Sequence, residues 1–174
     1  EGLKAAQKHL IAPKITDLNS KIAQALSNKG EVLEAEQYFD KSLELANTQN
    51  KRRAVEEKVK VADFKSSNNL YSSEIELRKQ ALEDISDIET DSVIDNESAL
   101  TSQKQNYKIG KAYASQNDYG NAISYLEKSI EEADTKEDLI VKKVATRKLS
   151  EVYETTGDFN KALSAYQDYV DVVD

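Results

Sequence analysis

An internal repeat constrains the fold of this chain more than any other feature. Four segments of the 174 residues share one pattern of apolar, small and turn-forming residues. The small residue near the start of each segment is alanine in three copies and glutamate in the second: Ala35, Glu74, Ala122 and Ala162. These positions are 39, 48 and 40 residues apart. Because a period of about 20–50 residues is typical of stacked repeats, the sequence predicts a solenoid.

Each copy has the periodicity of two helices. Apolar residues recur every three or four positions, which places them on one face of a helix. First helices show this at Ile15, Leu18, Ile22 and Leu26, and at Val144, Leu149, Val152 and Tyr153. Second helices show it at Val32, Ala35, Phe39, Leu43 and Ala46, and at Tyr119, Ala122, Ile123, Leu126 and Ile130. One proline and five glycines in the whole chain favour long helices over turn-rich β structure.

The joint between the two helices of each copy is always glycine or asparagine. The four joint residues are Gly30, Asn69, Asn117 and Gly157. These two residue types best tolerate the left-handed conformation that ends a helix. Asp118 and Asp158 follow directly and are predicted to cap the second helices. The next apolar residue is predicted to pack back onto the first helix: Val32, Tyr71, Tyr119 and Phe159.

Small residues also fall in register, and small side chains allow two helices to approach closely. In the first helices they precede the joint by seven residues: Ala23, Ala62, Gly110 and Ser150. In the second helices they follow it by twelve: Ser42, Ala81 and Ser129, with Tyr169 in the last copy.

This pattern resembles the tetratricopeptide repeat, a helix–turn–helix unit. The resemblance is carried by Gly110 and Tyr113 with Ala122 and Leu126, and by Leu149, Ser150 and Tyr153 with Gly157, Asp158, Phe159, Ala162 and Tyr166; Ile22, Ala23 and Leu26 with Gly30, Ala35 and Phe39 add a third copy. It implies an all-α, right-handed superhelical α-solenoid of about four repeats with a partial N-terminal helix. We expect one domain over 1–174, made of a trailing helix (1–13) and repeats at 14–49, 50–97, 98–135 and 136–174.

The second copy departs from the pattern. Lys65, Glu74 and Arg78 stand where the family has an aromatic or aliphatic residue, an alanine and a bulky apolar residue. We therefore expect this copy to be distorted or more exposed than the others.

Both ends of the chain look cut. Pro13 precedes the first full repeat, so residues 1–12 are predicted to be the trailing helix of a truncated repeat, with an apolar edge of Leu3, Ala6 and Leu10. The chain stops at Asp174, inside or just after a second helix. Because solenoid ends normally carry a polar cap, we expect a fragment of a larger protein.

The longest connection, Asp84–Glu97, is acidic and has no lysine or arginine. Its spaced carboxylates could indicate a calcium loop, but Ser92 replaces the turn glycine and Ser98 the closing glutamate. The sequence favours a solvated linker.

Composition excludes several classes of site. The chain has no cysteine and one histidine, His9, which rules out thiolate sites and any site with two imidazoles. A net charge of −8 disfavours sequence-independent nucleic-acid binding. No apolar run approaches the roughly 20 residues that span a bilayer. His9 is predicted to be an exposed surface residue, and a phosphate-binding glycine loop is missing. We predict no catalysis, no metal and no cofactor.

What remains is a binding surface. In a right-handed superhelix the first helices line the concave side, where a protein or peptide partner would bind. The predicted contact residues are Lys104, Tyr107, Lys111, Arg147, Glu151 and Asp63. The three cations beside Tyr107 could hold a peptide carboxylate or an acidic helix. The carboxylate clamp of the chaperone-binding family members is not reproduced, because Tyr107 and Lys111 stand where lysine and asparagine would be.

Residues 103–133 and 145–174 look more narrowly like the repeat arrays of certain bacterial sensor histidine kinases. That likeness implies a sensory or scaffolding part of a signalling protein, on the extracytoplasmic side; without it a cytoplasmic location is expected. Two alternatives stay open. The chain could be a regulator that binds a peptide or small ligand, or a homodimerisation module that buries Val170, Val172 and Val173.

Overall fold

The computed structural model describes residues 2–89 and 94–174, with side chains from residue 11 onward. Every regular element in these ranges is an α-helix, which confirms the predicted all-α repeat fold. In chain order the helices are α1 (Gly2–Asn28), α2 (Val32–Ala46), α3 (Lys51–Ser67), α4 (Tyr71–Glu89), α5 (Ser102–Ser115), α6 (Tyr119–Thr135), α7 (Leu139–Thr156) and α8 (Phe159–Val173).

The chain forms two compact units, Glu1–Leu70 and Tyr71–Asp174. In the first unit α2 packs against α1 and α3. In the second unit each helix packs against the next from α4 to α8, and α5 also contacts α7. The division falls inside the predicted second repeat (50–97), between its two helices.

The predicted left-handed joints are confirmed. The φ angles are 83° at Gly30, 60° at Asn69, 61° at Asn117 and 84° at Gly157. After each joint the next backbone N–H donates to the carbonyl five residues back, as Asp118 does to Tyr113 at 2.9 Å. This bond satisfies a carbonyl that the end of the helix leaves without an intrahelical partner.

A fifth joint of the same kind lies between α6 and α7, and the sequence did not reveal it. Glu137 has a φ of 55°, and the N–H of Asp138 donates to the carbonyl of Ala133 at 2.9 Å. Glycine or asparagine would have indicated a left-handed joint at this position. A glutamate gave no such signal, because it rarely adopts a positive φ.

Aspartates begin the helices that follow three of these joints. The carboxylates of Asp118 and Asp158 accept hydrogen bonds from backbone N–H groups in the first turns of α6 and α8, as predicted. Asp138 does the same for α7, with the N–H of Val141 at 3.2 Å. Asn50 caps α3 through the N–H of Arg53 at 2.9 Å.

The small residues in register are buried at helix crossings, as predicted. Ala23, Ala62, Ser42, Ala81 and Ser129 have no exposed surface. Gly110 is the tightest crossing, because a Cβ added there would lie 2.8 Å from Cγ of Leu126 and 3.2 Å from the carbonyl oxygen of Ala122. Glycine at this point therefore sets how closely α5 and α6 approach.

The substitution Gly110→Ala tests this close approach. We expect it to lower the free energy of unfolding by about 1–3 kcal/mol, since an overpacked core must shift backbone or side chains. Gly120→Ala is the matched control, because nothing lies within 4 Å of its added Cβ; it should stabilise α6 by about 0.5–1 kcal/mol. Urea denaturation monitored by circular dichroism measures both. Equal changes in the free energy of unfolding at the two positions would contradict a close approach of α5 and α6 at Gly110.

The polar residues of the second copy are buried, so the expectation that they would be more exposed is wrong. Glu74 is 2% exposed and Arg78 1%. Arg78 Nε donates to Glu74 Oε2 at 2.8 Å, and Arg78 Nη1 donates to Gln105 Oε1 at 2.9 Å. In the first unit the buried Lys65 donates to Glu36 Oε1 at 2.6 Å. Each charge is buried because an opposite charge accompanies it.

Removing one member of the buried pair should be costly. We expect Arg78→Ala to lower the free energy of unfolding by about 3–5 kcal/mol, because Glu74 is left without its buried counter-charge. The double variant Glu74→Ala/Arg78→Leu places an alanine and a bulky apolar residue at the two positions, and it should recover most of that loss.

The exposed pair Arg147 and Glu151, with Nε and Oε1 3.7 Å apart, is the matched control for Arg78. Arg147→Ala should change the free energy of unfolding by less than about 1 kcal/mol. If the double variant at positions 74 and 78 is as unstable as Arg78→Ala, the unpaired charge of Glu74 is not the cause of the instability.

Helix α1 differs from the prediction in two ways. It runs through Pro13 without a break, so a separate helix over 1–13 is not formed. Proline's fixed φ is helical, and a helix can continue past it at the loss of one hydrogen bond. Ile15 and Leu18 are 42% and 58% exposed instead of facing the core. The side chains of Leu3, Ala6, His9 and Leu10 lie outside the described residues.

The acidic connection is shorter than predicted. Residues 84–89 belong to α4, where Ile85 is fully buried. Ile94 is also buried, because its apolar side chain leaves water. The expectation of a solvated linker is therefore wrong for these parts. Residues 90–93, including Asp91 and Ser92 of the calcium alternative, lie outside the described residues.

At two positions of the second unit the apolar residue after the joint lies in a cluster with the first helix that follows it, which is not the predicted packing back onto the preceding first helix. Tyr119 packs against the cluster around Leu126, and Tyr71 packs against the cluster around Ile109. Phe159 was also expected to pack onto its preceding first helix, but it is 68% exposed. Tyr119 is packed among residues of α7, the helix that follows α6, and no described helix follows α8.

Candidate partner-binding face

The six predicted contact residues fall on three first helices. α5 carries Lys104, Tyr107 and Lys111, and α7 carries Arg147 and Glu151. Because α5 and α7 contact each other, these five belong to adjacent helices of the second unit. Asp63 is an exposed residue of α3 in the first unit, which is described by itself.

Lys104 has a role in the fold. Its side chain is half-buried, and Nζ donates to the carbonyl oxygens of Asn96 and Ser98, the latter at 2.8 Å. The ammonium group thereby holds the segment that leads into α5. Its charge is directed at the backbone, so Lys104 contributes less to an exposed face than the sequence predicted.

Tyr107 is half-buried against the apolar cluster that contains Leu149 and Val152. Burial raises the pKa of its hydroxyl, and the negative charge of Glu151 raises it further. Tyr107 of α5 and Glu151 of α7 are therefore close enough to interact electrostatically.

Arg147 is an exposed cation of α7 and contacts both a carboxylate and an aromatic ring. Its side chain is 65% exposed, with Nε 3.7 Å from Glu151 Oε1. Its guanidinium carbon lies 5.8 Å from the ring centroid of Tyr169, within the range of a cation–π contact. Lys148 Nζ lies 3.5 Å from the other carboxylate oxygen of Glu151. Glu151 thus offsets part of the positive charge expected here.

Tyr169 is a residue of this face that the sequence analysis did not assign to it. In the other three copies the equivalent positions hold small residues that are fully buried: Ser42, Ala81 and Ser129. The large side chain at position 169 was the sequence feature that distinguished this copy. A tyrosine does not fit a close helix crossing, and its ring lies at the surface beside Arg147. We define the α5–α7 face as Tyr107, Lys111, Arg147, Glu151 and Tyr169.

A second polar cluster, buried at the start of α5, holds the connections in place. Gln103 donates to Asn96 Oδ1 at 2.9 Å and to Asp138 Oδ2 at 3.1 Å. Lys136 donates to Glu89 Oε1 at 3.0 Å. Gln103 has no exposed surface and Asp138 is 5% exposed. Gln103 and Asp138 lie 35 residues apart and Lys136 and Glu89 lie 47 apart, so the sequence pattern could not pair them.

In the part of the chain that the structure describes, no group of three or more histidine, cysteine, aspartate or glutamate side chains could hold a metal ion. None of the described helices is both long and apolar enough to cross a bilayer.

Tyr153 provides a pH-dependent contribution at the edge of the α6–α7 packing. Its hydroxyl donates to Glu127 Oε1 at 2.9 Å. Burial, then the hydrogen bond and charge of Glu127, raise the pKa of Tyr153 to about 12. A group with a raised pKa in the folded state stabilises the fold below its unfolded pKa, about 10 for tyrosine.

We therefore expect stability to fall as pH rises from about 10 through about 12, as Tyr153 loses its proton. Tyr153→Phe should flatten this part of the pH profile, measured by urea denaturation across the range. Glu127→Gln should shift the fall to lower pH, since it removes the acceptor charge. An unchanged profile in Tyr153→Phe would contradict this account.

Two segments of the chain match the model of a known repeat family. The model described as tetratricopeptide repeat matches residues 16–49 and 106–135. Residues 16–49 and 106–135 are therefore similar to this repeat. These two segments are the first and third of the four predicted copies. Tetratricopeptide repeats are generally non-catalytic scaffolds that bind protein partners.

Solved structures share the fold. The crystal structure of MamA protein has a TM-score of 0.66 at 23% identity, covering 92% of this chain and 74% of that chain. BtubC (BKLC) from P. vanneervenii has a TM-score of 0.73 at 13% identity, covering 98% of this chain and 71% of its own. A putative kinesin light chain of Podosopora anserina with nearly identical TPR-like repeats has a TM-score of 0.70 at 14% identity, covering 90% and 74%. At these identities the likeness shows the fold alone. Comparison with curated proteins gave no match.

Proposed function

We propose that this chain is a non-catalytic protein-interaction module whose partner binds the α5–α7 face. The observation that carries the proposal is the exposure of Lys111, Arg147 and Glu151 on two adjacent first helices, beside the half-buried ring of Tyr107. These side chains project from helices whose opposite faces form the core. They can therefore change contacts without disturbing the packing.

The chemistry of the face favours an extended peptide with a carboxylate and an apolar side chain. Arg147 offers a planar set of donors that matches a carboxylate, and Lys111 offers a second positive charge. Tyr107 and Tyr169 offer aromatic surface to an apolar group. Glu151 would be displaced from Arg147 by the incoming carboxylate, or would accept a backbone N–H of the peptide. Lys104 is excluded from this set because it holds the backbone at Asn96 and Ser98.

The test compares two forms of one ligand. The probe is a library of short acidic peptides, each synthesised with a free C-terminal carboxylate and as the amide, and binding is measured by fluorescence polarisation. We expect a preference for the free carboxylate, and we expect Lys111→Ala/Arg147→Ala to weaken binding at least about tenfold, since hydrogen bonds to charged groups are the strong ones.

The control variant is Lys128→Ala, at an exposed lysine of the second helix α6. This substitution removes one positive charge outside the α5–α7 face. The variant should therefore bind the peptides with the same affinity as the unmodified chain. Equal affinity of the double variant, or an equal loss in the control, would reject the proposed face.

The setting of the module is a finer proposal that rests on sequence resemblance alone. The likeness of residues 103–133 and 145–174 to arrays in bacterial sensor histidine kinases supports a sensory or scaffolding role in signal transduction. The sequence of the full gene product tests it. A membrane span followed by a kinase module is expected, and a gene product without a kinase module would contradict it.

A further inference from the structure

The joint between α6 and α7 carries backbone strain. Of the five left-handed joints in the described residues, it is the one formed by neither glycine nor asparagine, since Glu137 has a φ of 55°. In this conformation the Cβ of an L-residue lies too close to the following carbonyl oxygen, so surrounding contacts must offset the cost. The side chain of Glu137 is exposed, and the offsetting contacts therefore come from its neighbours in the chain.

Both neighbours of Glu137 are held by side chains from outside α6 and α7. Asn96 Nδ2 donates to the carbonyl oxygen of Lys136 at 2.9 Å. Gln103 Nε2 donates to Asp138 Oδ2 at 3.1 Å, and Lys136 Nζ donates to Gln103 Oε1 at 3.2 Å. Gln103 has no exposed surface and Asp138 is 5% exposed, so the bond between them is shielded from water.

The two other joints that lie inside the second unit are built differently. Their joint residues, Asn117 and Gly157, tolerate a positive φ. The aspartates that follow them, Asp118 and Asp158, accept hydrogen bonds from N–H groups in the first turns of their own helices. The hold from a distant segment therefore coincides with the joint whose residue type does not favour the conformation.

Segment 94–101, the part of the α4–α5 connection that the structure describes, supplies Asn96 and is fixed to α5. Its apolar residues Ile94 and Leu100 are buried. Asn96 accepts a hydrogen bond from the first turn of α5 through Oδ1 and donates one to the Glu137 joint through Nδ2. Three consecutive side chains of α5 donate to the segment: Gln103 Nε2 to Asn96 Oδ1 at 2.9 Å, Lys104 Nζ to the carbonyl oxygen of Ser98 at 2.8 Å, and Gln105 Nε2 to that of Ala99 at 2.8 Å.

We propose that segment 94–101 is a conformational device that keeps the Glu137 joint closed, with Asn96 as the positioning residue. Asn96 lies 40 residues before the lysine whose carbonyl it holds. Without the Asn96 side chain, the joint keeps its strain and loses the bond to the carbonyl of Lys136. The first turn of α7 then opens more often, while the rest of the second unit stays folded.

Native-state hydrogen exchange of the 174-residue chain, followed by NMR, tests this device. The probe is the amide of Asp138, whose N–H donates to the carbonyl of Ala133 at 2.9 Å in the closed joint. Asn96→Ala removes two hydrogen bonds at a half-buried position, and it should lower the protection factor of this amide about tenfold. The amides of Asp118 and Asp158 make the same bond at their own joints, and their protection should change by less than about twofold.

Two substitutions at position 137 separate backbone strain from side-chain effects. Glu137→Gly should raise the protection of the Asp138 amide about fivefold, because glycine adopts a positive φ without steric cost. Glu137→Ala is the matched control, since it removes the same carboxylate but keeps the Cβ, and it should leave the protection unchanged. Adding Glu137→Gly to Asn96→Ala should restore most of the protection that Asn96→Ala loses.

Asn160→Ala, at an exposed asparagine of α8, controls for the loss of an amide side chain and should not change the protection of Asp138. Three results would overturn the proposal: unchanged protection of Asp138 in Asn96→Ala, an equal loss at Asp118, Asp138 and Asp158, or equal protection in Glu137→Gly and Glu137→Ala. These readouts involve only backbone amides of the free chain. They are therefore independent of the peptide experiment on the α5–α7 face, and either experiment can fail without the other.

Discussion

The left-handed joint is the interaction on which the rest of this structure depends. At five places one residue takes a positive φ, and the next N–H bonds to a carbonyl five residues back. The helix ends there with its carbonyl groups satisfied, and the chain can turn into the next helix within a few residues. Short connections of this kind keep consecutive helices adjacent, and the helices joined at Gly30, Asn117, Glu137 and Gly157 pack against each other. The close crossing at Gly110 follows from that adjacency.

The buried charges of α3 and α4 show that the repeat pattern tolerates polar substitutions when partners are supplied. Glu74 and Arg78 replace small and bulky apolar residues, and Gln105 on α5 completes their hydrogen bonding. Lys65 is similarly accompanied by Glu36. Buried ion pairs contribute little net stability compared with apolar packing, but breaking one is costly. Such pairs therefore restrict which helix can pack against which, because a helix without the matching partner would leave a charge unpaired.

The surfaces left over from packing divide into two kinds. The α5–α7 face is polar with aromatic patches, and suits a peptide held by charge and ring contacts. One side of α8 is instead apolar and exposed, at Phe159, Leu163 and Tyr166. The residues at the same register in α6, Tyr119, Ile123 and Leu126, pack in one cluster.

The sequence by itself determined the helical repeat pattern, four of the five left-handed joints in the described residues and the small residues buried between helices. Glycine and asparagine at Gly30 and Asn69 marked left-handed ends, and Asp118 marked a helix start, because these preferences depend on steric and hydrogen-bonding energies within about five residues. Helical periodicity also assigned Tyr107, Lys111 and Arg147 to one side of their helices, because it depends only on the spacing of residues along the chain.

Tertiary structure decided which polar side chains are buried and which apolar ones are exposed. Arg78 is buried because Gln105, 27 residues away, accepts its hydrogen bond, and Lys65 because Glu36, 29 residues away, carries the opposite charge. Leu163 has the same pattern position as Ile123 but is exposed, because burial requires a neighbouring helix and not only an apolar face. Periodicity specifies a direction from one helix axis, whereas burial depends on what other parts of the chain place in that direction.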